Sequence, residues 1–194
     1  MDLVRQDHLA WHLSGGTTEL LYVDASNNQI NCTKIGGTTD ISVGQLIDRT
    51  GQLLQLPFPS GKHIDELSRN ATMSTLFRVK CTGSEFSISG VQNKVQQFYE
   101  QNSDAAETAG YAMRSICDVI FRATENAMKA YPGLPVVFSG GVASNSMLRR
   151  VLSPLDPVFA KPEYSTDNAM GIAILTYLNQ GGLHDQAGTV NYPD

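Results

Sequence analysis

The chain has 194 residues, 41% of them apolar and 17% charged, with a formal net charge of −5. That balance describes a globular protein able to bury a core in one domain, and it excludes a disordered chain and a strongly basic nucleic-acid binder. Cys32, Cys81 and Cys117 are too few and too scattered for a disulfide framework or zinc knuckle. With no leader pattern at Met1-Asp2-Leu3-Val4 and no run near about 18 apolar residues, a cytoplasmic setting and no membrane partner are expected.

Residues 9–13 and 19–23 read as two short strands turning through Ser14-Gly15-Gly16, and 29–35 as a third after the Asn27-Asn28 turn, giving an antiparallel meander. From 40 to 54, apolar residues at Val43, Leu46, Ile47, Leu53 and Leu54 have helical spacing, with Thr39 or Asp40 as the expected cap. Pro57-Phe58-Pro59-Ser60-Gly61 breaks that helix, and 63–70 reads as a short one. Residues 76–88 suggest a small inserted hairpin around Thr82-Gly83-Ser84, decorating the core.

Helices are expected over 89–101 and 105–131. The second carries Ala109, Ala112, Met113, Ile116, Ile120, Ala123, Ala127 and Met128 on one stripe and ends before Pro132-Gly133. A strand at 135–139, a helix at 142–152, a strand at 157–161 and a last helix at 167–179 follow. Three antiparallel strands and then parallel strands joined by helices make an α/β, ribonuclease-H-like element order, here one domain over 1–194.

Two loops carry the densest chemistry. Ser14-Gly15-Gly16-Thr17-Thr18 can offer backbone amides and hydroxyls to a phosphate, or be a tight hairpin that binds nothing. Ser139-Gly140-Gly141-Val142-Ala143-Ser144-Asn145 joins a strand to a helix at the usual ligand crevice of an open α/β sheet. There Asn145, expected one turn into the helix, could read a base or ribose, or be merely solvated. Asp48 is an acid of the kind that bonds ribose hydroxyls, although most such acids simply face solvent. Asp167 is first of all a helix cap. His8 and His12 have no completing acid or cysteine, and no nucleophile–base set is visible, so no catalytic residue is assigned.

In this order the segments resemble the tRNA adenosine threonylcarbamoyltransferases, also known as glycoproteases or O-sialoglycoprotein endopeptidases, over the C-terminal half of that family. The resemblance rests on Leu13 to Leu20, on Ile35-Gly36-Gly37-Thr38-Thr39-Asp40 with Gly44 to Arg49, and on Phe58-Pro59-Ser60-Gly61. It continues through Phe86-Ser87-Ile88-Ser89-Gly90, Ser139 to Asn145, and Ser165 to Ala173. It implies one lobe of the two-lobed actin/sugar-kinase/Hsp70-like architecture. It also implies that Leu13, Ser14, Gly15, Gly16 and Thr17 face phosphates, that Asp48 and Gly61 face the ribose, that Asn145 meets the adenylate, and that Gly140 and Gly141 belong to the same nucleotide- or substrate-binding set. Asp167 is implied as a ligand of a divalent metal of iron or zinc type.

The implied function is transfer of a threonylcarbamoyl group from its adenylate to tRNA adenosine, with ATP or an adenylate as the bound nucleotide. The family's His-x-x-x-His metal ligands belong to an N-terminal lobe that these residues do not contain, so Asp167 is an orphan ligand and metal binding by this half alone is not expected. The expected partners are that lobe or an equivalent subunit, and tRNA only as part of the complete assembly. Thr17 stands where the family usually has His or Asn, Gly37 and Gln45 where it usually has Glu, and Ile41 where it often has Asp. Those departures also fit a non-catalytic nucleotide-binding or interaction paralogue, dimerising through the surface that would meet the missing lobe. A protease reading finds no residues to support it.

Overall fold

The computed structural model describes residues 6–25 and 30–161. Its elements are β1 (His8–Leu13), β2 (Thr18–Asp24), β3 (Asn31–Thr38), α1 (Val43–Leu53), α2 (Gly61–Ser68), β4 (Cys81–Thr82), β5 (Glu85–Phe86), α3 (Ser89–Asn102), α4 (Ala105–Ala130), β6 (Val136–Ser139), α5 (Ser146–Leu152) and β7 (Val158–Phe159). The strand at 157–161 is thus only two residues long, and the helix at 167–179 lies outside the described residues.

One sheet runs in the order β4-β5-β3-β2-β1-β6-β7. The β1–β2–β3 meander is antiparallel, with Leu13 opposite Thr18 at its first turn. β6 and β7 add in parallel on the β1 side, with Trp11 beside Phe138. This is the ribonuclease-H-like order expected from the sequence. The strand alternation sends Leu9, Trp11 and Leu13 to one face, where all three are fully buried. That face packs on α4, whose Ala109, Ala112, Met113, Ile116, Ile120 and Ala123 are buried as the stripe predicts. The small alanines let the long helix lie close to the sheet. Trp11 Nε1 donates to Thr124 Oγ1 at 2.9 Å, so the largest core side chain is buried with its donor satisfied.

Two expectations change. The 76–88 hairpin does not decorate the core. β5 pairs in parallel with β3, the Gly37 amide donates to Ser84 O, and Phe86 is only 3% exposed, so the hairpin extends the sheet and seals one end of its core. The cap of α1 is Ser42, in a reciprocal capping box with Gln45, and neither Thr39 nor Asp40. Asp40 serves α3 instead: its carboxylate accepts from the Ile88 and Ser89 amides at 3.0 and 3.1 Å, supplying the cap that Ile88 cannot. Partial burial alone would raise the Asp40 carboxyl pKa. Hydrogen bonds from the Ser87 and Ser89 hydroxyls and the Ile88 and Ser89 amides outweigh it and hold the group well below the usual carboxylate range.

Candidate functional site

The first glycine loop is the β1–β2 turn. Ser14 N donates to Thr17 O at 2.9 Å and Thr17 N donates back to Ser14 Oγ at 3.1 Å, so the Ser14 hydroxyl closes its own turn. The start of α1 docks on that turn. Ser42 Oγ donates to Gly15 O at 2.6 Å, and Val43 N donates to the buried Thr18 Oγ1 at 2.9 Å. A Cβ on Gly44 would lie 2.4 Å from Ser14 O and 2.5 Å from the Gly15 Cα, so only glycine permits this approach. Of the residues expected to face phosphates, Leu13 has its side chain wholly in the core, and Gly15 reaches the cleft described below. Ser14, Gly16 and Thr17 do not line it.

The second loop leaves β6 at Gly140, whose φ of +90° and approach to Leu13 O, 2.2 Å from where a Cβ would stand, again require glycine. The expected helix at 142–152 is interrupted. Gly141–Ser144 forms a single 3₁₀ turn, Asn145 is extended, and α5 begins only at Ser146. Asn145 is therefore the cap of α5, and not a residue one turn inside it. Its Oδ1 accepts from Leu148 N at 3.0 Å, while Nδ2 has only the Met113 sulfur at 3.9 Å. The carbonyl is committed to the fold, and the amide donors are left with one weak partner.

The third wall is the 57–61 loop. Asp48 on α1 accepts from Ser60 N at 2.9 Å through Oδ1, and its Oδ2 takes no hydrogen bond from the described residues. On α2, Asp65 Oδ1 accepts from Ser146 N at 2.9 Å and from Ser146 Oγ at 2.7 Å, while Arg69 Nη2 donates to Oδ2 at 2.6 Å. That carboxylate bolts α2 to the first turn of α5, where the helix dipole also favours it.

These segments enclose an open cleft of about 420 Å³. The structure brings Gly15, Asp48, Gly61, Gly141 and Asn145 together in its wall, and leaves Leu13, Ser14, Gly16, Thr17 and Gly140 behind or beside it. Ser144 of the second glycine loop lines it as well, together with Lys62 and Asp65, which the sequence reading did not single out. Gly61, Lys62 and Asp65 occur at helical spacing after the Pro-Ser-Gly break, and that was the available signal. A Cβ on Gly15, Gly61 or Gly141 would meet nothing within 4 Å, so the side chains missing there leave room in the cleft. The volume suits a small ligand, and the polar groups are few: the Lys62 ammonium, the Asn145 amide donors and the free Asp48 oxygen. That set fits a ligand with an anionic group and hydroxyls, such as a nucleotide. Among the described residues no group of three His, Cys, Asp or Glu could hold a metal ion, and Asp167 lies outside them. His8 Nδ1 sits 2.8 Å from Gln6 O and His12 Nδ1 3.3 Å from Ser139 Oγ, each apart from the cleft. No helix among the described residues is long and apolar enough to cross a membrane.

Two solved structures share the fold. Component A of the (R)-2-hydroxyglutaryl-CoA dehydratase of Acidaminococcus fermentans matches with a TM-score of 0.57 at 17% identity, covering 89% of this chain and 63% of that one. The activator of the 2-hydroxyisocaproyl-CoA dehydratase of Clostridium difficile, solved with ADPNP bound, matches with a TM-score of 0.54 at 11% identity, covering 95% and 66%. These likenesses place the α/β sheet in the actin/sugar-kinase/Hsp70-like architecture and carry no more than the fold. In sequence, the tRNA N6-adenosine threonylcarbamoyltransferase of Carboxydothermus hydrogenoformans is 32% identical over 176 residues, 85% of this chain and 52% of that protein. The one of Halalkalibacterium halodurans is 33% identical over 176 residues, 83% and 50%. The chain thus spans about half the length of the curated relatives it matches. A family model described as tRNA N6-adenosine threonylcarbamoyltransferase matches residues 2–174, and on that match and these identities the chain belongs to that family.

Proposed function

We propose that this chain is the nucleotide-holding half of a threonylcarbamoyl transferase of tRNA modification, and that a second lobe or subunit completes its site. The observation that supports this most is the convergence of Gly15, Asp48, Gly61, Gly141 and Asn145, from separate loops, on one cleft. In the proposed reaction the exocyclic amine of a tRNA adenosine attacks the carbamoyl carbon of threonylcarbamoyl adenylate. An N–C bond forms, the C–O bond to the phosphate breaks, adenosine monophosphate leaves with the electron pair, and the amine gives up a proton to solvent.

The residues of this chain bind and orient the adenylate. The Asp48 Oδ2 accepts from a ribose hydroxyl, Asn145 Nδ2 donates to the nucleotide, and Lys62 balances the phosphate charge. Lys62 makes a long, exposed ion pair with Glu66 at 3.9 Å, and its side chain is 82% exposed, so it can exchange that partner for a phosphate. Asp167 is proposed to contribute one ligand to a divalent metal whose other ligands come from the completing lobe, where the ion would act as a Lewis acid toward the substrate oxygens.

The test is calorimetric titration of the chain with ATP and with adenosine monophosphate. Saturable binding that Lys62→Glu weakens on the order of tenfold is expected, because reversing an exposed charge beside a phosphate shifts the interaction by roughly 1–2 kcal/mol. Absence of binding to either nucleotide overturns the proposal.

A further inference from the structure

The turn that carries Gly141 and Ser144 into the cleft stops where a helix would run on, and the cause lies in two side chains. Ala143 N donates to Gly140 O and Asn145 N to Val142 O, both at 3.0 Å, as a 3₁₀ turn requires. The next bond of that series would run from Ser146 N to Ala143 O. Ser146 N donates instead to Asp65 Oδ1 at 2.9 Å, and Ala143 O accepts from Arg149 Nε at 2.9 Å. Each half of the missing bond is thus taken by a charged side chain, and Asn145 between them is extended, with ψ 131°.

Arg149 does more here than place a charge. It belongs to the last turn of α5, where a cation meets the helix dipole favourably, as Arg150 beside it also does. Its side chain nevertheless reaches back to the turn that precedes the helix. Nη2 donates to Ala160 O at 3.3 Å, just past β7, and Cζ stands 4.6 Å from the centre of the Phe159 ring. Phe159 lies in turn against the fully buried Phe138, with ring centres 5.3 Å apart. The guanidinium therefore spans two carbonyls with its planar fork, on an aromatic base tied to the sheet, which the point charge of a lysine cannot do.

We infer that Arg149 is a positioning residue of the first cleft: by holding Ala143 O it keeps the 3₁₀ turn from joining α5, and so keeps Gly141 and Asn145 facing the ligand space. The inference rests on the nucleotide reading for what that position serves. Arg149 does not line the cleft itself, so it acts through the turn. Asn145 shows the consequence. Extended, it caps α5 through Oδ1 and leaves Nδ2 with the Met113 sulfur at 3.9 Å, whereas in a helix running on from 142 to 152 it would lose the backbone geometry of a cap.

The test compares wild type with Arg149→Met, Arg149→Lys and Arg150→Met, by ATP calorimetry and by hydrogen exchange of the peptides spanning 141–148 and α4. Arg149→Met is expected to weaken ATP binding on the order of tenfold, because a charge-assisted hydrogen bond is lost from the turn. Exchange in 141–148 quickens, while α4 exchanges as in wild type. Arg149→Lys keeps the charge but not the fork and also weakens binding, whereas Arg150→Met removes an equal charge from the same helix turn and binds as wild type. Unchanged ATP affinity in Arg149→Met, full affinity in Arg149→Lys, or equal losses in Arg149→Met and Arg150→Met each overturns the inference. So does a loss of protection that extends through α4, the mark of a merely structural role. Where Arg149→Met does not fold, Arg149→Lys decides by the same two readings. A wild type that binds no ATP refutes the nucleotide proposal, and the exchange comparison then decides on Arg149 alone: faster exchange confined to 141–148 supports it, and unchanged exchange there overturns it.

Discussion

Replacing Gly61 with valine separates a glycine that serves a ligand from one that serves the fold. Gly61 is the first residue of α2 and lines the cleft, and a Cβ there meets no atom within 4 Å. Its backbone is not in the left-handed region, so an L side chain is tolerated. Removing glycine from a helical position recovers backbone entropy, and valine loses part of that gain to its stiff χ1, so stability should rise by at most about 1 kcal/mol. For a chain of this size that is a melting shift of roughly 2–4 °C or less. The isopropyl group instead occupies part of the 420 Å³ cleft. If a nucleotide fills that space, the overlap costs about 1–3 kcal/mol, by analogy with overpacking a well-filled interior, or roughly a 5- to 150-fold loss of affinity. Thermal denaturation and ATP calorimetry on the same sample read both quantities. A Gly61→Val protein that melts as wild type and binds ATP as wild type would refute the placement of the nucleotide. One that loses stability by about 2 kcal/mol would refute the reading of Gly61 as open space.

Gly44→Ala should behave in the opposite way, because its Cβ would lie 2.4 Å from Ser14 O. We expect a loss of about 1–3 kcal/mol in denaturant unfolding, with ATP binding weakened only because the turn shifts. Asp40→Ala removes the remote cap of α3 and should cost about 1 kcal/mol at neutral pH, read by the same unfolding. Because the Asp40 carboxyl is held below its unfolded value, its contribution is fully present above about pH 4 and is lost as pH falls further through the folded pKa. The wild-type and Asp40→Ala stability curves should therefore converge in acid and stay separated from pH 5 upward. Gln55→Gly relieves a left-handed glutamine and should raise stability by about 1 kcal/mol, seen as a higher melting temperature.

The meander and the long helix were legible because their signals are local. β1 alternates fully buried residues with less buried ones along its length, and the α4 stripe repeats at the helical period over 26 residues. The two glycine loops and Asp48 could be picked out for the same reason, since glycine pairs after apolar runs mark strand ends. What escaped was set by partners far away in the chain. Asp40 looked like a cap for the helix that starts three residues on, yet it caps a helix that starts 49 residues later, where the Ile88 side chain cannot accept a hydrogen bond. Asp65 looked like an ordinary acid on a short helix until Ser146, 81 residues on, supplied its two donors. The break before α5 was hidden because Val142 and Ala143 continue an apolar pattern. Only the extended Asn145, whose side-chain Oδ1 accepts from Leu148 N, shows where the helix begins.

The glycines that shape the cleft divide into two kinds, and the division bears on what the cleft is for. At Gly44 and Gly140 the missing side chain is filled by protein: the β1–β2 turn presses on the first, and the end of β1 on the second. These contacts draw the ends of β1 and β6 and the start of α1 into one rigid frame. At Gly15, Gly61 and Gly141 the missing side chain is filled by nothing, and all three open on the same cleft. All three are exposed, so the space beside each is open to solvent and a ligand can take it without displacing protein atoms. A frame built tightly at one set of glycines and left open at the other is what a site needs if its ligand, and not the protein, is to supply the last layer of packing.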